Sequence, residues 1–179
     1  MQYRNPIAAL TVIGLALCTA SSVSAAAAAP TPVPLSLLKQ DNVSLALANA
    51  LISATLAACH ANGRSAVAVV VDRGGNLIAV QRDDNVGPHN TEAAQRKAFT
   101  ALSTKTPTRL LAANAQANPE SQNLNTVSSL LLIGGGVPLI AGKEVIGAIG
   151  VGGSGGAAHD EACAINAINQ VFPQASSTN

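Results

Sequence analysis

One short stretch, residues 86–102, holds the side chains best suited to binding a ligand. Imidazole nitrogen is a common metal ligand, threonine hydroxyls are weaker oxygen ligands, and arginine and lysine pair with carboxylates. An aromatic ring in the same stretch could form the wall of an apolar pocket. The candidates for metal ligation, anion binding and the wall are His89, Thr91, Arg96, Lys97, Phe99 and Thr100, with His89 as the leading metal ligand. The alternative for His89 is an ordinary loop residue near a helix start.

Helix geometry limits how many of these side chains can share one pocket. Residues 92–102 read as a helix, on which Arg96 and Phe99 lie about 60° apart. Lys97 lies about 160° from Phe99 on the same wheel, so one pocket cannot receive all three unless subunits share the site. Phe99 either packs on a neighbouring element or walls a ligand pocket, and the sequence leaves both open.

The other two histidines give no metal signature. His60 falls at a predicted helix end, where solvent exposure is the simplest interpretation. His159 precedes Asp160 and Glu161, two acids that suit the positive amino end of a helix. No histidine pair has the i, i+4 spacing of a helical zinc site, and no C-x-x-C occurs.

Three glycine patterns resemble known motifs but lack their context. Residues 150–155 fit G-x-G-x-x-G, yet the chain ends before the strand and acidic residue that a dinucleotide site requires. Residues 152–156 fit G-x-S-x-G, but only the adjacent His159 and Asp160 follow, so a serine hydrolase is disfavoured. Residues 136–144 have the wrong spacing for a phosphate-binding loop and fit a hairpin turn. We expect the glycines of 150–155 to allow a sharp turn and close packing against the last helix.

The composition indicates a small exported domain. Ten Lys and Arg balance nine Asp and Glu without a like-charge block, which disfavours nucleic acid as a partner. Apolar residues make up 48% of the chain and aromatic residues 2%, so the core must consist of small aliphatic side chains. Residues 1–25 are typical of a secretory signal peptide, since Arg4 precedes an apolar run and Val23–Ala25 supplies small residues for cleavage. That run is too short to span a bilayer comfortably, and we expect a secreted or periplasmic protein without a membrane span.

The mature chain reads as one α+β domain. We expect an Ala/Pro-rich tether at 26–34, a domain at 35–173 and a disordered tail at 174–179. The predicted order is helix, two strands, two helices, three strands, helix, with the five strands in a mostly antiparallel sheet. The predicted helices are 41–62, 91–103, 106–117 and 158–172, and the predicted strands are 67–71, 77–82, 129–133, 137–140 and 145–151. The first helix is apolar on two sides, so it needs two partners: the sheet, and a neighbouring helix or another subunit. Asp41 or Asn42 can cap it.

Five motifs in order resemble the GlcG/HbpS family of haem-binding, or haem-degrading, proteins. They are the hairpin V-V-D-R-G-G-N-L at 70–77, Q-R-K-A-F-T-A at 95–101, G-G-G-V-P-L at 134–139, V-I-G-A-I-G-V at 145–151 and Asp160-Glu161. The resemblance covers the mature chain from the first helix to the last. It implies a profilin-like or PAS-like layered fold and a homo-oligomer.

The resemblance also implies the cofactor. We expect a secreted haem-binding protein acting in haem sequestration, haem sensing or oxidative-stress protection, and a binding protein rather than an enzyme. The alternatives are a haem-degrading enzyme that releases iron, and a protein that binds a small organic acid at Arg96 and Lys97. His89 is then the candidate iron ligand, Arg96 and Lys97 the candidate propionate partners. No C-x-x-C-H occurs, which excludes covalent c-type attachment.

Two cysteines, Cys59 and Cys163, remain after export. An oxidising compartment permits a disulfide between them, and the alternative is that each is a small buried apolar residue. The family fold suggests that the first and last helices pack side by side, which would let the two thiols meet.

Overall fold

The centre of the molecule is an antiparallel sheet of four strands. The structure, a computed structural model, describes residues 36–173, so the predicted signal peptide, tether and tail lie outside the described residues. The chain divides into residues 1–38 and 39–179, and every element below belongs to the second unit. The strands, in the spatial order β2-β1-β4-β3, are β1 (Val67–Asp72), β2 (Leu77–Arg82), β3 (Gly136–Ala141) and β4 (Glu144–Gly152).

The prediction of a fifth strand at 129–133 is wrong, because helix side chains take up the hydrogen bonds of that segment. The Arg96 guanidinium donates to the carbonyls of Ser128 and Leu130, each at 2.8 Å. The backbone N–H of Leu131 donates to the Thr100 hydroxyl at 2.8 Å. A segment whose backbone groups are satisfied by side chains has no need of a neighbouring strand.

Helices cover both faces of the sheet. They are α1 (Leu45–His60), α2 (His89–Thr104), α3 (Thr108–Ala117), the single turn α4 (Pro119–Gln122) and α5 (Ala157–Val171), with a 3₁₀ turn at Asn123–Thr126. β1 is buried on both faces: Val67, Val69 and Val71 belong to the apolar cluster with α2, while Ala68 and Val70 belong to the cluster with α1 and α5. This α+β arrangement of layers agrees with the predicted fold class. No helix among the described residues is long and apolar enough to cross a membrane.

The first helix begins later than predicted, and a different residue caps it. The Ser44 hydroxyl accepts from the backbone N–H of Leu47 and so satisfies one of the free donors of the first turn. The predicted cap Asn42 instead accepts from the backbone N–H of Arg73 at 2.9 Å, which links the chain before α1 to the β1–β2 turn.

The second partner of α1 is α5. Leu51 and Ile52, which belong to the two apolar stripes of α1, are both fully buried in one cluster with residues of α5. A disulfide joins Cys59 of α1 to Cys163 of α5, with the two Cα atoms 5.4 Å apart. Burial against α5 means that the second stripe of α1 does not by itself require another subunit.

The glycines of the sheet allow α2 to approach it closely. A Cβ on Gly150 would lie 2.0 Å from the carbonyl oxygen of Ala94, and one on Gly136 would lie 2.2 Å from that of Lys97. Both neighbours are backbone atoms of α2 and cannot move aside. The close packing predicted for residues 150–155 therefore exists, but against α2 rather than the last helix.

Candidate functional site

Helix α2 carries all six predicted site residues and presents them in different directions. Its inner face, Ala94, Ala98 and Ala101, is fully buried on the sheet. Of the candidates, Lys97 and Thr100 are buried as well, while the other four are half-buried or exposed.

Lys97 is committed to a buried ion pair. Its ammonium donates to Asp160 Oδ2 at 2.8 Å and to the carbonyl of Val151 at 3.0 Å. The other oxygen of Asp160 accepts from the backbone N–H and the hydroxyl of Ser154, at 2.9 and 2.6 Å. Lys97, Asp160 and Ser154 are each at most 4% exposed. This network ties α2 to the glycine loop and to α5, and it leaves Lys97 away from any ligand.

The second acid of α5 also pairs with a cation. The Arg109 guanidinium of α3 donates to Glu161, which is buried. This hydrogen bond and the negative charge of Glu161 raise the pKa of Arg109 above its ordinary range. The sequence predicted only that these two acids suit the start of a helix. In the structure, Asp160 also connects α5 to α2, and Glu161 connects it to α3.

Thr100 and Arg96 hold the segment after α4 in place. The Thr100 hydroxyl donates to the carbonyl of Arg96 and accepts from Leu131, and the residue is fully buried. Arg96 is more accessible: its side chain is 35% exposed. Its Nε is buried and has no hydrogen-bond partner among residues 36–173. Because this atom is buried, only the exposed part of the Arg96 side chain can meet a ligand.

Arg96 and Phe99 line one cavity, as their 60° separation predicted. The cavity is about 280 Å³ and lies between α2, the β1–β2 turn and the segment after α4. It is lined by Gly75, Glu92, Gln95, Arg96, Phe99 and Ser129. A Cβ on Gly75 would come within 2.9 Å of the Phe99 ring, so the ring lies directly on the backbone of the turn.

An aspartate holds the turn beneath Phe99. Asp72 Oδ1 accepts from the backbone N–H groups of Gly74 and Asn76, each at 2.8 Å. Burial alone would raise the pKa of Asp72, but the hydrogen bonds from the side chain and backbone of Asn76 and from the glycine N–H groups outweigh it. The pKa of Asp72 is therefore lowered from its ordinary value. Gly75 has a φ of +81°, a conformation that glycine adopts without strain.

His89 and Thr91 do not line this cavity. His89 is the first residue of α2, is exposed, and has its ring beside Gly87, where an added Cβ would lie 3.1 Å from Cε1. On a helical wheel His89 lies about 20° from Arg96 and about 80° from Phe99, on the same outer side of α2. The rise along the helix from His89 to Phe99 is about 15 Å. Thr91 is half-buried.

The remaining histidines form no metal site in the described part of the chain. His60 Nε2 lies 2.8 Å from Asp83 Oδ2, so His60 has a carboxylate partner where the sequence suggested solvent alone. No group of three or more His, Cys, Asp or Glu side chains within residues 36–173 is arranged to hold a metal ion.

A second cavity, of about 500 Å³, also includes Phe99 in its lining and was missed by the sequence analysis. It is formed by the β1–β2 turn, the end of α2 and the β3–β4 turn. Its lining residues are Arg73, Gly74, Phe99, Leu102, Ser103, Lys105, Lys143, Glu144 and Val145. The sequence contained two signals for it. Lys105 stands where a helix commonly ends in glycine, and Lys143 follows Gly142 in a turn. Neither shows from the sequence alone that the two turns meet.

Comparison with known proteins identifies the family. Residues 43–169 match the family model described as haem degrading protein HbpS-like. The chain belongs to the HbpS-like family. One similar protein is GlcG of Escherichia coli K12. It is 32% identical over 109 residues, which cover 61% of this chain and 80% of GlcG.

Two further comparisons extend this result. A 15.0 kDa protein of Citrobacter freundii is 33% identical over 86 residues, which cover 47% of this chain and 61% of that protein. The chain thus spans less than two thirds of this relative. The crystal structure of a double mutant of HbpS from Streptomyces reticuli superposes with a TM-score of 0.72 and 32% identity, covering 81% of this chain and 98% of that chain.

The HbpS-like fold extends to more distant proteins. A structure described as a PduOC:heme complex has a TM-score of 0.65 and 24% identity, covering 73% of this chain and 95% of that chain. At this identity the similarity concerns the fold alone.

Proposed function

We propose that this protein is exported and binds haem on the outer side of α2, with the porphyrin ring against Phe99. The observation that carries the proposal is the pair of cavities that share Phe99, one of which is also lined by Arg96. A half-buried aromatic ring beside positive charges fits a flat apolar macrocycle that carries carboxylates. The description of the family as haem degrading supports the same cofactor.

The residues of this chain then have separable roles. Phe99 offers a flat apolar contact supported from below by Gly75, and Arg96 places a positive charge in the same cavity. When bound, haem supplies the redox chemistry and the iron coordination, while the protein controls orientation and access. Lys97 and Thr100 are not part of this proposal, because their polar atoms are occupied and buried.

A haem titration followed by absorbance tests the proposal. We expect saturable binding by the wild-type protein and about tenfold weaker binding by Phe99→Ala, since the aromatic contact is lost. Leu110→Ala is the matched control, because Leu110 is an exposed apolar residue of α3 that lines neither cavity. Absence of saturable binding by the wild-type protein contradicts the proposal, and equal affinities of the two variants contradict the placement at Phe99.

His89 remains our proposed iron ligand. It is exposed on the same side of α2 as Arg96, and neutral imidazole binds iron well. We expect His89→Ala to shift the Soret band of the complex, and His159→Ala, a change at an exposed histidine of α5, to leave it unchanged. An unchanged spectrum in His89→Ala would show that His89 is not the iron ligand. Thr91, a candidate oxygen ligand, is then the next residue to substitute.

Haem degradation is a second candidate, favoured by the description of the family model. It predicts that peroxide causes loss of the haem band and release of chelatable iron faster with the protein than with free haem. Equal rates would leave binding as the function, in haem sequestration, sensing or protection against oxidative stress.

Export and self-association complete the proposal. Mass spectrometry of the natively expressed protein should find an amino terminus at or near Ala26, and an intact Met1 terminus would contradict export. A homo-oligomer is supported by Leu77 and Val80 of the edge strand β2, which are 46% and 41% exposed. Light scattering that shows a monomer at micromolar concentration would contradict it.

A further inference from the structure

In the cavity of about 500 Å³, two hairpin turns and the end of α2 bring charged side chains together. Arg73 comes from the β1–β2 turn, Lys105 from the end of α2, and Lys143 and Glu144 from the β3–β4 turn. These residues are far apart in sequence, so the fold alone assembles them.

Two of the three cations have no acidic partner. Arg73 Nη1 lies 2.8 Å from Glu144 Oε2, and this pair is electrically neutral. Lys105 and Lys143 are exposed and make no ion pair within residues 36–173. The cavity therefore carries two uncompensated positive charges.

Lys105 occupies a backbone position that favours glycine. It ends α2 with φ +54° and ψ +27°, in the left-handed region where a side chain adds strain. Glycine would fit this backbone conformation better than lysine. Residues held in such strained conformations are frequent at functional sites. Lys143 follows Gly142, whose φ of +60° makes the tight β3–β4 turn. Both lysines thus project from fixed points of the backbone.

The lining also has an apolar part. Phe99, Leu102 and Val145 supply it, beside Ser103 and the neutral pair of Arg73 and Glu144. An apolar surface with two positive charges fits a ligand with an apolar body and two carboxylates. Arg96 competes less well for such carboxylates, since its Nη2 already donates to two backbone carbonyls.

We propose that Lys105 and Lys143 bind the two propionates of the haem whose ring lies on Phe99. This inference rests on the proposed function and assigns the carboxylate contacts to residues outside the stretch that the sequence singled out. The contacts are independent of iron, so a metal-free porphyrin can test them.

The test compares the affinities of protoporphyrin IX and its dimethyl ester, both followed by fluorescence. The variants are Lys105→Gly, Lys143→Ala and the double variant, with Lys39→Ala as the control because Lys39 is exposed and outside the cavity. We expect the double variant to bind the diacid about tenfold more weakly, and Lys39→Ala to bind it like wild type. The ester should bind wild type and double variant equally, and added salt should weaken only the binding of the diacid to wild type.

Two results overturn the inference, and they differ from failure of the proposed function. If the double variant binds the diacid like wild type, the lysines are not the carboxylate partners, while haem binding stands. If the ester loses affinity as much as the diacid, the substitutions have altered the apolar surface instead. If wild type binds neither haem nor protoporphyrin, the proposed function fails and this inference fails with it. Lys105→Gly should keep or raise the thermal midpoint, which separates loss of binding from loss of folding.

Discussion

Two lysines of the same helix, Lys97 and Lys105, lie in opposite environments about 12 Å apart along the axis. Lys97 is 4% exposed and paired with Asp160 at 2.8 Å. Lys105 is exposed, lies on a strained backbone, and has no acidic partner in the described chain. The first environment holds α2 to the glycine loop and α5, and the second faces a cavity at the hairpin turns.

The comparison shows that residue type does not separate a structural cation from a ligand-binding one. A buried ion pair requires its partner, because each charge alone would be left without water. An exposed lysine contributes little to folding, and a strained one can reduce stability. Substitutions in the two environments should therefore have opposite effects on stability and binding.

The largest effect is expected from removing the buried lysine. Lys97→Met leaves Asp160 buried without a counter-charge, and we expect the free energy of unfolding to fall by about 3–5 kcal/mol. Urea denaturation measures it. Lys97→Met combined with Asp160→Leu should recover part of the loss, since no unpaired charge then remains. If the free energy of unfolding falls by less than about 1 kcal/mol in Lys97→Met, the pair of Lys97 and Asp160 contributes no more than an exposed ion pair.

The second largest loss of stability is expected from removing the disulfide, which lies close to Asp160 on α5. Cys163 lies one turn after Asp160 on α5, and its bond to Cys59 closes a loop with a sequence separation of 104 residues. Replacing both cysteines by alanine should lower the free energy of unfolding by about 2–4 kcal/mol. Two free thiols titrated in the unfolded, unreduced protein would show instead that the bond does not form.

A smaller effect is expected at the hairpin turn that supports Phe99. Asp72→Ala removes the acceptor for Gly74 and Asn76 and should cost about 1 kcal/mol. Since folding lowers the pKa of Asp72, its contribution is complete above the ordinary value of 3.8 and is lost as pH falls below it. Denaturation midpoints measured from pH 6 to pH 2.5 should converge for wild type and Asp72→Ala, in a range set by this shift. A constant difference over that range would contradict the role of the carboxylate.

The smallest effect, of opposite sign, is expected for the strained lysine. Lys105→Gly removes a side chain from a left-handed position and should raise the free energy of unfolding by about 0.5–1 kcal/mol. Thermal denaturation beside Lys39→Ala measures the difference. A clear loss of stability would show that Lys105 supports the fold and would remove the contrast with Lys97.

Local patterns predicted most of the elements of this fold. A β-branched run and glycine turns located β1 and β2, and the predicted helices match α1, α2 and α5 within a few residues. The segment 129–133 was the exception. It is apolar enough for a strand, but Arg96 and Thr100 bind its backbone, and no local pattern reveals that contact.

The site was predicted in part for the same reason. The 60° separation of Arg96 and Phe99 follows from helix geometry, and the two residues do share a cavity. The fate of Lys97 depends on Asp160, 63 residues later in the chain. The basic cavity depends on two turns that only the sheet brings together. Such long-range contacts determine what a side chain can bind, and the residues next to it in the sequence do not reveal them.

The most direct test of the account is to locate the haem by nuclear magnetic resonance. Paramagnetic haem broadens the amide signals of residues close to the iron, so a titration of the ¹⁵N-labelled protein maps the site on the structure. We predict that the signals of Gly75, Arg96 and Phe99 broaden first, together with that of His89 as the proposed iron ligand, while those of Cys163 and Ala167 persist. Broadening centred on Cys163 and Ala167 of α5, with sharp signals at His89, Gly75 and Phe99, would contradict haem binding on the outer side of α2.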